Sequence, residues 1–200
     1  MQINKRKLIH IVGIGGIGMS GIAEILNDLG YLVQGSDIAI NTNITRLKKK
    51  KIKVFIGHKK DNIQDAELVV YSSAIKKSNS ELKESKTRNI PIISRAEALS
   101  QIANLKKTIA ISGSHGKTTT TSLIATLLNS AKYNPTVING GIINQFGTNT
   151  KLGNGEWMVI EADESDGTFV KLPSTISVVT NIDHEHLDYY KSFSNLKSHF

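Results

Sequence analysis

Hydrophobic and polar residues alternate along the chain in two repeating patterns. Leu8–Val12 is a short apolar run that ends in a cluster of glycines, the form of a buried strand. Over residues 19–29, Ile22, Ala23, Ile25, Leu26 and Leu29 fall at helical spacing, and Gly30 follows as a stop. A second strand starts at residues 31–33 and ends at Gly35-Ser36-Asp37. The cycle continues with a short helix over 44–51, strands over Lys53–Ile56 and 68–71, a helix over Ser80–Thr87, a strand over 90–93 and a helix over 95–104. Strands alternating with helices at this spacing predict a parallel sheet covered on both faces.

After a polar break at 105–107 the pattern starts afresh. A strand over 108–112, a helix over 117–129 and strands over 136–139, 157–162 and 175–180 are expected. Residues 140–155 are rich in Gly and Asn and predict an extended loop. Residues 192–200 have the pattern of a helix with no stop signal after it, so the second domain is expected to be incomplete. The fold class is therefore α/β: a Rossmann-like, parallel-sheet N-terminal domain over 1–104, then a P-loop α/β ATPase domain over 105–200, truncated.

Two hundred residues suffice for two small domains, and an apolar fraction of 39 % suffices for two packed cores. The absence of cysteine rules out disulfides and thiolate metal sites and fits a reducing compartment. The N-terminus is polar, and the apolar run after it is too short to span a bilayer. A cytoplasmic protein with no membrane partner is expected. The net charge of +8 lies wholly in the first half: residues 1–100 carry 17 Lys and Arg against 9 Asp and Glu, and residues 101–200 carry 8 against 8. A basic half raises the question of nucleic acid. No aromatic residues interleave with the lysine runs to stack bases, so a solvated surface is the expectation and nucleic acid is not.

Two glycine turns carry the candidate chemistry. Gly13, Gly15 and Gly18 satisfy G-x-G-x-x-G between a strand and a helix. Missing side chains let the backbone turn tightly and approach a ligand, and a helix N-terminus favours phosphate. Asp37 ends the next strand, 19 residues after Gly18, where a carboxylate can accept bonds from ribose hydroxyls. These residues point to a nucleotide without saying which one. A nicotinamide-dependent dehydrogenase remains an alternative at this point.

The second turn is Gly113-Ser114-His115-Gly116-Lys117-Thr118-Thr119. Loop N–H groups can cradle phosphate oxygens, Lys117 can neutralise charge on terminal phosphates, and the Thr118 hydroxyl can ligate Mg²⁺. Ile111 stands where the full phosphate-loop pattern has glycine, so this is a shorter form of it. A nucleic-acid-binding ATPase is a second alternative. Downstream, Glu161-Ala162-Asp163-Glu164-Ser165-Asp166 places four carboxylates at a strand end, where a cation would offset their repulsion. Asn181-Ile182-Asp183-His184-Glu185-His186-Leu187-Asp188 follows another strand. Its histidines are two apart, which argues against a catalytic zinc helix.

Taken together and in this order, these motifs, with the run from His10 to Ala23, Gly35-Ser36-Asp37 and Tyr71-Ser72-Ser73-Ala74-Ile75, resemble the Mur ligases from about Lys7 onward. The likeness is strongest to the members that join L-alanine to the carboxylate of UDP-N-acetylmuramate in peptidoglycan synthesis. The sister members that attach a whole peptide to the same sugar share the architecture. The resemblance implies that Gly15, Gly16, Ile17, Gly18, Asp37, Ser72 and Ser73 line a UDP-sugar site, so that the first turn holds UDP rather than NAD. It implies that Gly113, Ser114, His115, Gly116, Lys117, Thr118 and Thr119 form the ATP loop. Catalytic roles fall to Lys117, Glu161 and His186, with Thr118 and Glu161 on one Mg²⁺ and His186 on a second. The substrates implied are UDP-N-acetylmuramate, L-alanine and ATP. A third domain, usual in the family, is not included in these 200 residues. Ser114 stands where the family often has threonine and keeps the hydroxyl.

Overall fold

The computed structural model describes residues 7–144, 146–164 and 167–200. The chain divides into two compact units, one reaching to Ala98 and the other starting at Leu99.

In the first unit, β1 (Leu8–Val12), β2 (Leu32–Asp37), β3 (Lys53–Ile56), β4 (Ala66–Tyr71) and β5 (Ile92–Ser94) form one sheet in the order β3-β2-β1-β4-β5. Every neighbouring pair is parallel. β1 lies at the centre and is buried from Ile9 to Val12, which is why, His10 apart, it is apolar without alternation. Helix α1 (Ile17–Asp28) buries Met19, Ile22, Ala23, Ile25 and Leu26, α2 (Thr42–Lys49) buries Ile44 and Leu47, and α3 (Ser80–Thr87) buries Leu82. The predicted boundaries of α3 are met. The expected strand over 90–93 runs instead as Ile92–Ser94, with α4 (Arg95–Ala103) following directly.

Because all five strands run the same way, their C-terminal ends share one edge. Four segments meet there: the glycine turn after β1, Asp37 at the end of β2, Gly57-His58 after β3 and Ser72 after β4. Gly35 lets β1 and β2 close up, since a Cβ there would lie 2.4 Å from the Ile11 carbonyl and 2.6 Å from Ile14.

The second unit contains β6 (Lys107–Ser112), α5 (Lys117–Ser130), β7 (Thr136–Ile143), β8 (Thr148–Lys151), β9 (Trp157–Glu161), β10 (Ile176–Val179), α6 (Leu187–Tyr190) and α7 (Phe193–Lys197). Its sheet has the order β10-β6-β9-β7-β8. Four strands are parallel, and β8 is an antiparallel edge on β7. This corrects the expected loop over 140–155: β7 runs on to Ile143 and β8 returns beside it. Glycine and asparagine disfavour strands by propensity. Here an edge pairing overrides that preference, and Gly147 at φ +65° helps the chain turn back. The expected helix over 192–200 is limited to α7, capped by the Ser192 hydroxyl accepting from Asn195 N. Among the described residues no helix is long and apolar enough to cross a membrane.

Candidate functional site

The first glycine turn is built by hydrogen bonds to β2. Gly13, at φ +81°, and Ile14 both donate backbone N–H to the Ser36 carbonyl, at 2.8 and 3.0 Å. Gly15 N donates to Asp37 Oδ2 at 2.8 Å, and Asp37 Oδ1 accepts from Ile38 N at 2.8 Å. Asp37 thus braces the turn. The Gly15 carbonyl accepts from Asn41 Nδ2 and Asn43 Nδ2. A Cβ on Gly15 would lie 2.8 Å from Asn41 Nδ2 and 2.9 Å from Asp37 Oδ2. Gly16 caps α1 with no side-chain hydrogen bond, which leaves first-turn N–H groups for an anion.

A cavity of about 560 Å³ opens over this turn, within the size range of small-ligand sites. Of the predicted residues, Gly15, Gly16, Asp37 and Ser72 line it, whereas Ile17, Gly18 and Ser73 do not. Ile17 is exposed on the helix. Gly18 faces Arg95, whose guanidinium would lie 3.1 Å from a Cβ at that position. The sequence reading missed Asn41 and His58 in the lining. Asn41 carries a legible signal, because it caps α2 through Oδ1 accepting from Ile44 N at 2.9 Å. The signal for His58 is only its place two residues past β3.

The second turn joins β6 to α5. Gly113 has φ +123°, and a Cβ there would lie 2.2 Å from Thr180 Oγ1, so only glycine fits. Gly116, in the left-handed region, caps α5 without a side-chain bond. The loop N–H groups are not all open. Ser114 N donates to the Asn181 carbonyl at 3.1 Å and His115 N to Asn181 Oδ1 at 3.0 Å. The anion cradle is therefore narrower than the whole loop and centres on the first turn of α5.

Lys117 Nζ donates to the Gly113 carbonyl at 2.6 Å, to the Ser114 carbonyl at 3.2 Å and to Glu164 Oε1 at 2.7 Å. Glu164 is 1 % exposed. Its Oε1 also lies 3.4 Å from His186 Nε2, its backbone carbonyl accepts from Tyr190 OH at 2.6 Å, and its Oε2 is buried with no hydrogen-bond partner among the described residues. Beside this pair, Thr118 Oγ1 donates to Glu161 Oε1 at 3.1 Å, and Glu161 Oε2 accepts from Gly140 N at 2.7 Å. A Cβ on Gly140 would meet that carboxylate at 2.7 Å and displace it.

Thr118 and Glu161 are thus brought together. His186, at φ +56°, turns instead to Glu164, and Glu164, Glu185 and His186 place ligand atoms within 4.8 Å of one another. Glu164, expected only as one of four carboxylates beside a cation, is the one that meets Lys117 and His186. Its spacing of three from Glu161 past a strand end was the available signal. Ser165 and Asp166 lie outside the described residues. His115 reaches across to the last motif, with Nε2 3.5 Å from Asp183 Oδ2 and Nδ1 3.8 Å from Glu185 Oε1. The His184 backbone N–H holds the Asp183 carboxyl below its ordinary value, and the His115 and His184 side chains act in the same direction.

Comparison with known proteins matches both units. The profile of the Mur ligase family catalytic domain matches residues 8–107, and that of the Mur ligase middle domain matches residues 111–200. A UDP-N-acetylmuramate–L-alanine ligase of Parvibaculum lavamentivorans is 62 % identical over 192 residues, which cover 96 % of this chain and 39 % of that protein. The UDP-N-acetylmuramate–alanine ligase structure from Thermotoga maritima superposes with a TM-score of 0.89 at 34 % identity, covering 96 % of this chain and 45 % of that one. The structure of UDP-N-acetylmuramate:L-alanyl-γ-D-glutamyl-meso-diaminopimelate ligase from Neisseria meningitides gives 0.89 at 27 % identity, covering 98 % and 66 %. The chain spans about two fifths of the length of the curated relatives it matches.

Proposed function

This chain belongs to the Mur ligase family, and on that premise we propose that it is the nucleotide-handling part of an ATP-dependent ligase joining L-alanine to UDP-N-acetylmuramate. The reaction serves peptidoglycan precursor synthesis in the cytoplasm. Residues 1–104 hold the UDP-sugar and residues 105–200 hold ATP. The observation that carries this reading is Lys117, fixed by two loop carbonyls and Glu164 beside the open N–H groups of α5.

The chemistry follows from a carboxylate being a poor acyl donor, because its leaving group would be oxide. Attack of a carboxylate oxygen on the γ-phosphorus of ATP breaks the bond to ADP and gives an acyl phosphate. The amine of L-alanine then attacks the acyl carbon, the C–O bond to phosphate breaks, and the amine loses a proton. The first step brings one anion against another. Lys117 and the α5 N–H groups offset that repulsion in the transferring group. No side-chain nucleophile is needed.

The oxygen-rich donor set suits Mg²⁺. Thr118 and Glu161 would hold one ion, and His186 with Glu164 a second; Glu164 Oε2, buried with no hydrogen-bond partner among the described residues, fits a cation. Bound there, Mg²⁺ supplies charge neutralisation on the phosphates.

A second reading, transfer of a whole peptide, is favoured by the fold match to the Neisseria protein. The higher identity to the alanine-adding relatives weighs against it. The test is a chimera in which residues 1–200 replace the matching part of the Parvibaculum lavamentivorans ligase. Phosphate release that needs both UDP-N-acetylmuramate and L-alanine supports the proposal. Release needing neither sugar nor amine overturns it.

A further inference from the structure

The loop between β6 and α5 is held in shape by a residue that the chemistry above does not use. Asn181 follows β10 and bonds to successive peptides of that loop. Its carbonyl accepts from Ser114 N at 3.1 Å, its Oδ1 accepts from His115 N at 3.0 Å, and its Nδ2 donates to the His115 carbonyl at 2.9 Å. Thr180 Oγ1 donates to the same carbonyl at 2.6 Å. Asn181 is exposed, so water could satisfy its amide as well, and burial does not dictate these bonds.

The bonds fix which way each peptide faces. In a trans peptide the C=O and the N–H point to opposite sides, and no cis peptide occurs among the described residues. The Gly113 and Ser114 carbonyls accept from Lys117 Nζ, at 2.6 and 3.2 Å. The N–H groups of those two peptides, on Ser114 and His115, accordingly face Asn181. The third peptide is reversed. Its carbonyl, on His115, faces Thr180 and Asn181, so its N–H, on Gly116, faces the Lys117 side. Gly116 N–H donates to no described residue. The space around it is open, since a Cβ on Gly116 would meet nothing within 4 Å. Gly116 N–H and Lys117 Nζ therefore share one side of the loop.

A peptide that precedes glycine turns over at little cost, because glycine has no Cβ to oppose either orientation, and Gly116 sits at φ +79°. Turned over, this peptide would present the His115 carbonyl to the phosphates and repel them. We propose that Asn181 and Thr180 are positioning residues that lock the 115–116 peptide, so that Gly116 N–H donates to a phosphate oxygen beside Lys117. The inference rests on the second unit binding ATP. A donor fixed before the ligand arrives needs no reorganisation when charge builds on the transferring group.

The test is nuclear magnetic resonance and calorimetry of this chain with Mg²⁺ and a non-hydrolysable ATP analogue, for wild type, Asn181→Ala, Thr180→Ala and Thr180→Ser. In wild type the Gly116 amide proton should move downfield as the analogue saturates, the signature of a new bond to phosphate. Asn181→Ala and Thr180→Ala should each bind the analogue about tenfold more weakly, the scale of one hydrogen bond to a charged group, with a smaller Gly116 displacement. Thr180→Ser keeps the hydroxyl and should bind as wild type does. Three results each overturn the inference and leave the ATP reading standing. One is a wild-type Gly116 amide that stays in place while that of Lys117 moves. Another is undiminished affinity in both alanine variants, and the third is equal losses in Thr180→Ser and Thr180→Ala. An analogue that gives no heat and moves no amide of residues 113–119 overturns the reading itself, and the inference with it. The wild-type signal decides even where a variant fails to fold.

Discussion

Lys117 Nζ lies 2.7 Å from Oε1 of Glu164, a carboxylate 1 % exposed, so the lysine of the phosphate loop is also the main countercharge of a buried acid. Removing one partner of such a pair leaves the other uncompensated in low dielectric. Lys117→Ala should therefore destabilise the second unit by about 1–3 kcal/mol, with His186 as the remaining neighbour. It should also abolish ATP binding and leave UDP binding by the first unit intact. Chemical denaturation and calorimetry with each nucleotide measure the three effects separately.

Thr118→Ala removes the hydroxyl that donates to Glu161 from a side chain that is only partly buried. Its stability should change by less than about 1 kcal/mol. Its affinity for ATP should fall about tenfold or more in the presence of Mg²⁺ and little in EDTA, because the lost group is a metal ligand rather than a phosphate contact. Equal losses with and without the metal would reassign Thr118.

Gly140→Ala sets two effects apart. The new Cβ meets only the end of the Glu161 side chain, which can swing away, so the fold should be little affected. Displacing that carboxylate should weaken magnesium-dependent nucleotide binding. Gly35→Ala meets the rigid Ile11 carbonyl at 2.4 Å instead and should cost the first unit about 2–3 kcal/mol. Thermal unfolding of the two variants gives the comparison.

Glu81, fully buried on α3, sets a pH dependence. Burial pushes its carboxyl up, but hydrogen bonds from His10, Ser36 and Asn62 outweigh it and leave it below its ordinary value. A carboxyl whose folded value is depressed contributes stability that is present above its unfolded value and lost as the pH falls through the folded one. The first unit should therefore lose stability on acidification from about pH 4.5 downward, and Glu81→Gln should flatten that slope. Denaturation midpoints across the acid range measure it.

Both glycine turns were legible because each sits where local pattern and global position agree. Gly13 and Gly113 follow apolar strands and precede helices, and their positive φ values allow little but glycine. Periodicity gave α3 its boundaries because Asn79 caps it from its own side chain, with Oδ1 accepting from Glu81 N at 2.8 Å. The β7–β8 hairpin was not legible. Gly140 and Gly141 read as loop on propensity, yet they lie within β7, which pairs with β8 on either side of them, and Gly140 N is bonded to Glu161. Asp37 was placed correctly at the strand end, but no spacing rule shows that it braces Gly15. His58, Glu81 and Glu164 were missed for one reason. Their partners lie 23, 45 and 47 residues away, at Glu81, Ser36 and Lys117, and only the closed sheets bring them together.

The central claim is that the Lys117 loop grips the terminal phosphates of ATP. A crystal structure of this chain with Mg²⁺ and a non-hydrolysable ATP analogue tests it most directly. The account predicts the γ-phosphate within hydrogen-bond distance of Lys117 Nζ and the first-turn N–H groups of α5, with Thr118 and Glu161 on the metal. A triphosphate bound elsewhere, with Lys117 still held to Gly113, Ser114 and Glu164 alone, would contradict it.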